Sequence, residues 1–132
     1  IIYKIKINNK NKIVSKKIFK KFTLDEGSPD GMTLDKNKNL WVAHYNGACV
    51  SVFDIKGKLI HRIHLPAKNI TNCAFGGQHN NELFITSATK GMNKAELRKF
   101  RYSGFLFSVK TNTKGFVQNK FKLSYEKKRS LL

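Results

Sequence analysis

The sequence predicts an all-β fold, and more narrowly a β-propeller of which this chain holds about two and a half four-stranded blades. Apolar and polar residues alternate with a period of two along most of the 132 residues, as in half-buried strands. Turns rich in Asn, Lys and Gly separate these runs. The strand groups also recur, because residues 40–43 (LWVA) match residues 83–86 (LFIT) at an offset of 43, about one propeller blade.

The predicted strands follow one another with little else between them. In order, they are IYKIKIN, KIVSKKIFKKFT, GMTLD, LWVAHYN, two strands of ACVSVFDIKGKLIHRIHLP joined at DIKGK, ITNCAFGG, ELFITSATK, GFLFSVKTN and GFVQNKFKLSY. Residues 1–23 match only the last two strands of a blade. Residues 92–100 (MNKAELRKF) alone have helical composition, and they are too short to organise a fold.

An incomplete set of blades has a physical consequence. Propellers close as rings of about four to eight blades, each burying its faces against its neighbours. Two and a half blades leave two apolar faces open. Since the chain also begins Ile-Ile-Tyr, without an initiator methionine, we expect residues 1–132 to be the C-terminal part of a larger propeller domain. Residues 124–132 are expected to form a basic tail.

The net charge of +18 raises the alternative of a basic nucleic-acid-binding β module. Lysine outnumbers arginine 22 to 4, however, and the lysines are spread over the whole length. Arginine is the residue that reads bases and phosphates bidentately, so its scarcity disfavours that function. We therefore predict no nucleic-acid partner, while lysines gathered on one face with salt-dependent binding would support the alternative.

The two cysteines and the hydropathy pattern indicate where the chain resides. Cys49 and Cys73 sit in apolar strand-like runs, which predicts buried free thiols in a reducing compartment and so the cytoplasm. A disulfide between them is the alternative that the sequence leaves open. No apolar run approaches the roughly 20 residues of a membrane span, so no membrane partner is expected.

Asp30, in the stretch SPDGM, is the candidate functional residue. Proline fixes the backbone before it and Gly31 permits a tight turn after it, so Asp30 is either a plain turn residue or a ligand aimed inward. Asp35 and Asp54, which precede Lys/Asn/Gly turns, are predicted to be turn acids only. His44 could approach a central channel, although a packed or exposed histidine is the simpler interpretation.

Several motifs in order resemble the regucalcin/gluconolactonase family, also called the senescence marker protein/luciferin-regenerating enzyme group. They are PDGM, LWVA.YNG..V..FD..GK, CAFGG and L.ITSA..GM, and the resemblance extends over residues 1–123. It implies a six-bladed propeller with one divalent metal at the mouth of the channel, and hydrolysis of sugar lactones. The family holds its metal with a glutamate, an asparagine and the aspartate of PDG, which maps onto Asp30. That aspartate is also the family's proton donor and acceptor.

The resemblance thus implies a metal-dependent lactonase acting on a small sugar lactone, with Ca²⁺, Zn²⁺, Mn²⁺ or Mg²⁺ as the cofactor. The glutamate and asparagine ligands would precede Ile1, on missing N-terminal blades of the same propeller. With one of three ligands, the isolated chain is expected to be inactive. A non-catalytic propeller used as a binding scaffold is the alternative, since propellers carry many unrelated functions.

Overall fold

The computed structural model describes residues 1–117, which form nine β-strands and one short helix. In chain order these are β1 (Ile2–Ile7), β2 (Ile13–Lys20), β3 (Ser28–Leu34), β4 (Leu40–Tyr45), β5 (Cys49–Phe53), β6 (Leu59–His64), β7 (Asn69–Gly76), β8 (Glu82–Ala88), α1 (Lys94–Lys99) and β9 (Leu106–Lys110). Helix α1 lies within residues 92–100, the segment with helical composition. The last predicted strand and the basic tail fall largely or wholly outside the described residues.

The strands form three antiparallel sheets, and each sheet follows the order of the sequence. The first contains β1 and β2, the second β3 to β6, and the third β7 to β9. This is the expected half blade followed by a complete four-stranded blade and three strands of the next one. The prediction of an all-β propeller fold is confirmed. Short turns join most of the paired strands, while a longer loop that contains α1 joins β8 to β9.

The second blade is buried on both faces, which explains why every residue of β5 is buried. One face packs against the third sheet through a large apolar cluster that includes Trp41, Val50, Ile70, Leu83 and Ile85. The Trp41 and Phe75 rings meet edge to face, with centroids 5.2 Å apart. Because β3 and β4 both contact β7, the inner strands β3 and β7 lie where the blades converge.

The opposite face of the second blade packs against the first sheet. Ile2, Val42 and Phe53 are buried there, with Phe19 and Phe22 packed around them. Alternation along β4 thus divides its side chains between two neighbouring blades, with Val42 on one side and Trp41 on the other. This two-sided burial holds the half blade to the complete one.

The outer faces of the first and third sheets carry exposed apolar side chains. Such residues include Tyr3, Ile5, Ile7 and Ile18 on the first sheet, and Leu106 on the third. Large exposed apolar patches are uncommon on monomeric proteins. No helix within residues 1–117 is long and apolar enough to cross a membrane.

The two predicted turn acids do form turns, but in different surroundings. Asp54 is a surface residue that accepts hydrogen bonds from the backbone N–H groups of Lys56 and Lys58, at 2.8 and 2.9 Å. Asp35 is only 1% exposed. It accepts from the Asn39 backbone at 2.9 Å and from Trp41 Nε1 at 3.0 Å, so it also satisfies the buried indole.

Both cysteines are buried free thiols, as predicted. Burial raises the pKa of the Cys73 thiol to about 12. A thiol with so high a pKa is almost never a thiolate at neutral pH, and the thiolate is the nucleophile and metal ligand. Cys73 therefore serves packing, and its Sγ contacts the Trp41 carbonyl oxygen at 3.6 Å.

Candidate functional site

Asp30 lies within strand β3, near its start, and its side chain is exposed. The expectation that PDG forms a tight turn is wrong, because these residues are extended and paired with β4. The pairing contains a β-bulge: Pro29 lies opposite His44 and Met32 opposite Val42, so Asp30 and Gly31 share a single partner position. A bulge re-aims side chains, and such irregularities occur next to functional sites.

Gly31 is required by a neighbouring blade and not by a turn. A Cβ atom placed on Gly31 would lie 2.1 Å from Asn72 Oδ1 and 2.7 Å from Asn72 Cα. Backbone of the third sheet therefore passes directly over the residue that follows Asp30. Glycine allows this close approach, which brings Asn72 of β7 beside the candidate site.

Strand β7 carries the same irregularity as β3. Its register shifts between Ile70 and Asn72, which leaves Thr71 as the extra residue. Thr71 is thus the counterpart of Asp30 in the next blade, and its hydroxyl contacts that of Thr86 at 2.8 Å. The two bulges lie side by side on inner strands. Sequence analysis did not identify Thr71 or Asn72, although aligning SPDGM with NITNC would have indicated both.

The segment that leads into β3 is held by a polar network. Arg62 of β6 donates to Glu26 Oε1 at 3.1 Å and to Ser51 Oγ at 3.0 Å. Glu26 also accepts from the backbone N–H of Thr23 at 3.1 Å. That backbone hydrogen bond, followed by the Arg62 side chain, lowers the pKa of the Glu26 carboxyl. The network fixes the path of the chain four residues before Asp30.

A second anchor holds the loop between β8 and β9 at the same end of the blades. The Lys90 carbonyl oxygen accepts from Tyr45 Oη at 2.8 Å and from Asn69 Nδ2 at 3.0 Å. The helix α1 within this loop begins at a capping box formed by Asn93 and Glu96. Glu96 also pairs with Lys68, so the loop is tied to both the second and third blades.

His44 is a packed residue and not a ligand. It is fully buried on the face of β4 that meets the first sheet, where its ring contacts Phe22 edge to face at 5.2 Å. Its Nδ1 lies 2.7 Å from the Glu26 carbonyl oxygen. Because a carbonyl only accepts, the Nδ1 atom carries a proton. Burial lowers the pKa of His44.

This burial predicts a loss of stability as the pH falls. The folded state resists protonation of His44, whereas the unfolded imidazole binds a proton near its ordinary pKa of 6.5. The free energy of unfolding should therefore decrease below about pH 6.5. Urea denaturation between about pH 5.5 and 8 measures this, and His44→Gln should flatten the curve. The matched control is His61→Gln, at an exposed histidine. If the free energy of unfolding fell equally with pH in wild type and in His44→Gln, the pH dependence would not come from the burial of His44.

Asp30 does not belong to a cluster of metal-binding side chains in the described part of the chain. Within residues 1–117 there is no group of three or more His, Cys, Asp or Glu side chains placed to hold a metal ion. His61 and His64 are both exposed on β6, the outer strand of the second blade, remote from the converging inner strands. The described residues therefore supply one carboxylate to the site, with Thr71 and Asn72 on the neighbouring inner strand.

Inner strands of adjacent blades, with an exposed carboxylate at a bulge, define a β-propeller protein with a candidate ligand site where the blades converge. The chain belongs to the SMP-30/gluconolactonase/LRE-like family, whose sequence model matches residues 1–89. It is 42% identical over 97 residues to "Putative sugar lactone lactonase YvrE" of Bacillus subtilis, covering 73% of this chain and 33% of that protein. It is 44% identical over 90 residues to regucalcin of Danio rerio, covering 67% and 30%.

Solved structures agree with this family. A luciferin-regenerating enzyme aligns with 92% of the chain and 41% of its own length, at a TM-score of 0.79 and 28% identity. A calcium-binding protein, regucalcin from Agrobacterium tumefaciens, aligns with 92% and 42%, at a TM-score of 0.82 and 23% identity, which supports the fold. The chain spans about a third of the length of the curated relatives it matches.

Proposed function

We propose that this chain is the C-terminal portion of a metal-dependent hydrolase of sugar lactones, with Asp30 as a metal ligand and proton donor/acceptor. The proposal rests mainly on the exposed carboxylate of Asp30 at a bulge of the inner strand β3, in a chain that belongs to the gluconolactonase family. One relative supports the class of activity, since the Bacillus subtilis protein bears the name "Putative sugar lactone lactonase YvrE". The regucalcin of Danio rerio supports the family.

The chemistry of Asp30 fits a hard divalent cation such as Ca²⁺, Mg²⁺ or Mn²⁺, and a mixed ligand set would also admit Zn²⁺. Within residues 1–117 its carboxylate has no side-chain hydrogen-bond partner, and it is exposed. Both carboxylate oxygens are therefore open to a ligand. The remaining metal ligands would come from N-terminal blades that complete the ring, which supports the expectation that the isolated chain is inactive. When bound, the metal would act as a Lewis acid on the lactone carbonyl.

The protein's own contribution is the movement of protons at Asp30. Hydrolysis adds water to the ester carbonyl carbon, breaks the bond to the ring oxygen and yields a hydroxy acid. In our proposal, Asp30 accepts a proton from the attacking water and returns one to the departing ring oxygen. The Glu26–Arg62 network and the close approach of Asn72 to Gly31 position the backbone that carries this carboxylate. Two buried free thiols suit a reducing compartment, which supports the cytoplasmic location we propose.

An assay of two purified proteins tests the proposed function. The complete propeller that contains this chain should hydrolyse D-glucono-1,5-lactone, lose activity with a chelator and regain it with a divalent metal. The 132-residue chain alone should be inactive with each metal. A complete propeller that is inactive with Ca²⁺, Zn²⁺, Mn²⁺ and Mg²⁺ would contradict the lactonase assignment. If the preceding blades also lack the glutamate and asparagine ligands, the binding-scaffold alternative is favoured.

A further inference from the structure

Asn72 lies next to the candidate site, and its own hydrogen bond fixes the orientation of its side-chain amide. It belongs to inner strand β7 and passes directly over Gly31, the residue that follows Asp30. By register, Asn72 is the counterpart of Gly31, since Gly31 precedes Met32, which pairs with Val42, and Asn72 precedes Cys73, which pairs with the equivalent Ile85. At this position the second blade has no side chain, and the third blade has an amide that occupies the space.

The orientation of the Asn72 amide follows from its partner. Its Oδ1 accepts a hydrogen bond from the backbone N–H of Cys73 at 2.8 Å. A backbone N–H can only donate, so the atom that faces it must be the oxygen. The Nδ2 group consequently points the other way. It has no hydrogen-bond partner among residues 1–117, and the side chain is exposed.

The site thus combines an acid and a fixed donor. Asp30 offers a carboxylate that accepts hydrogen bonds, whereas Asn72 offers two N–H donors whose direction is set by the strand itself. Preorganised amide donors bind the carbonyl and hydroxyl oxygens of a polar ligand without reorganising when it arrives. A sugar lactone carries several such oxygens on a small ring.

We propose that Asn72 is a substrate-binding residue, which donates a hydrogen bond from Nδ2 to an oxygen of the sugar lactone held at Asp30. This inference rests on the proposed lactonase function and adds a contact from the third blade. It also gives Gly31 a role, because a side chain there would displace the amide. Asn72 makes its contact with the substrate and leaves the metal to Asp30.

Two variants in the complete propeller test the assignment. Asn72→Ala removes the amide, and Asn72→Asp keeps its shape and the acceptor for Cys73 while removing the donors. The probe is D-glucono-1,5-lactam, which keeps the ring hydroxyls and the carbonyl but resists hydrolysis. Both variants should weaken lactam binding in calorimetry about tenfold and raise KM similarly. For Asn72→Ala, kcat should stay within about threefold and the metal Kd should be unchanged.

The exposed Asn112, beyond β9 at the opposite end of the third blade, provides the matched control, Asn112→Ala. An unchanged lactam Kd in both Asn72 variants, with an active wild-type enzyme, would overturn the proposed role of Asn72 but not the lactonase function. So would a metal Kd that weakens in parallel with the lactam Kd in Asn72→Ala. If wild type neither hydrolyses the lactone nor binds the lactam with any of the four metals, the lactonase function fails, and this inference fails with it.

Discussion

Asp30→Asn is expected to lower kcat of the complete propeller by about 10²–10⁴-fold, the usual contribution of a positioned acid–base group. The amide is nearly isosteric with the carboxylate but cannot accept a proton at neutral pH. It also removes a negative charge from a metal ligand, so the metal Kd should rise. The change should not affect folding, because Asp30 is exposed and its side chain has no hydrogen-bond partner within residues 1–117.

Steady-state hydrolysis of D-glucono-1,5-lactone, together with metal titration by calorimetry, measures both effects. Asp54→Asn is the matched control, since it neutralises a surface acid and keeps an oxygen for the Lys56 and Lys58 N–H groups. That variant should retain activity and metal affinity. Full activity in Asp30→Asn would remove Asp30 from the chemistry, and it would leave the PDG segment a purely structural part of β3.

Gly31→Ala is expected to destabilise the chain by about 1–3 kcal/mol, the range for inserting a group into a well-packed site. The added Cβ would meet Asn72 Oδ1 at 2.1 Å and Asn72 Cα at 2.7 Å. The amide can swing aside, but the Cα belongs to a paired strand, so β3 and β7 must separate. Separation of the inner strands should also move Asp30, and activity of the complete propeller should fall.

Gly76→Ala, in strand β7, is the control for this substitution. Its Cβ would meet only the Phe84 ring, at 3.0 and 3.3 Å, and a ring edge can shift by a few tenths of an ångström. Urea denaturation of both variants compares the free energies of unfolding. If Gly31→Ala were no less stable than Gly76→Ala, the close approach of the two blades at Gly31 would not constrain the sequence.

Strand positions were largely predictable because alternation is a local property. The run LWVAHY became β4, ELFITSA became β8, and the offset of 43 between their central residues agrees with the register, in which Val42 and Ile85 occupy equivalent places. The half blade at the start followed from the same repeat. The burial of single polar residues was harder to predict, because burial of His44 and Asp35 depends on which blade packs against them.

The candidate site was likewise only partly predictable from the local sequence. The PDG motif and its neighbouring motifs identified Asp30, but the turn preference of Pro-Asp-Gly wrongly predicted a turn. Pairing with β4 outweighed that local preference, because the extended strand is in register with β4 on both sides of the bulge. The network of Glu26 and Arg62 joins residues far apart in the chain, and no local pattern indicates it.

By itself, the sequence determined that this protein is built from repeated antiparallel blades and that Asp30 is its candidate acid. Period-two alternation and the repeat predict the blades, and the resemblance of SPDGM and its neighbouring motifs to the gluconolactonase family indicates Asp30. Only the tertiary structure decided that Gly31 must be glycine and that Asn72 stands beside Asp30. Those facts depend on how one blade packs against the next, a contact between residues distant in the chain that local periodicity does not encode.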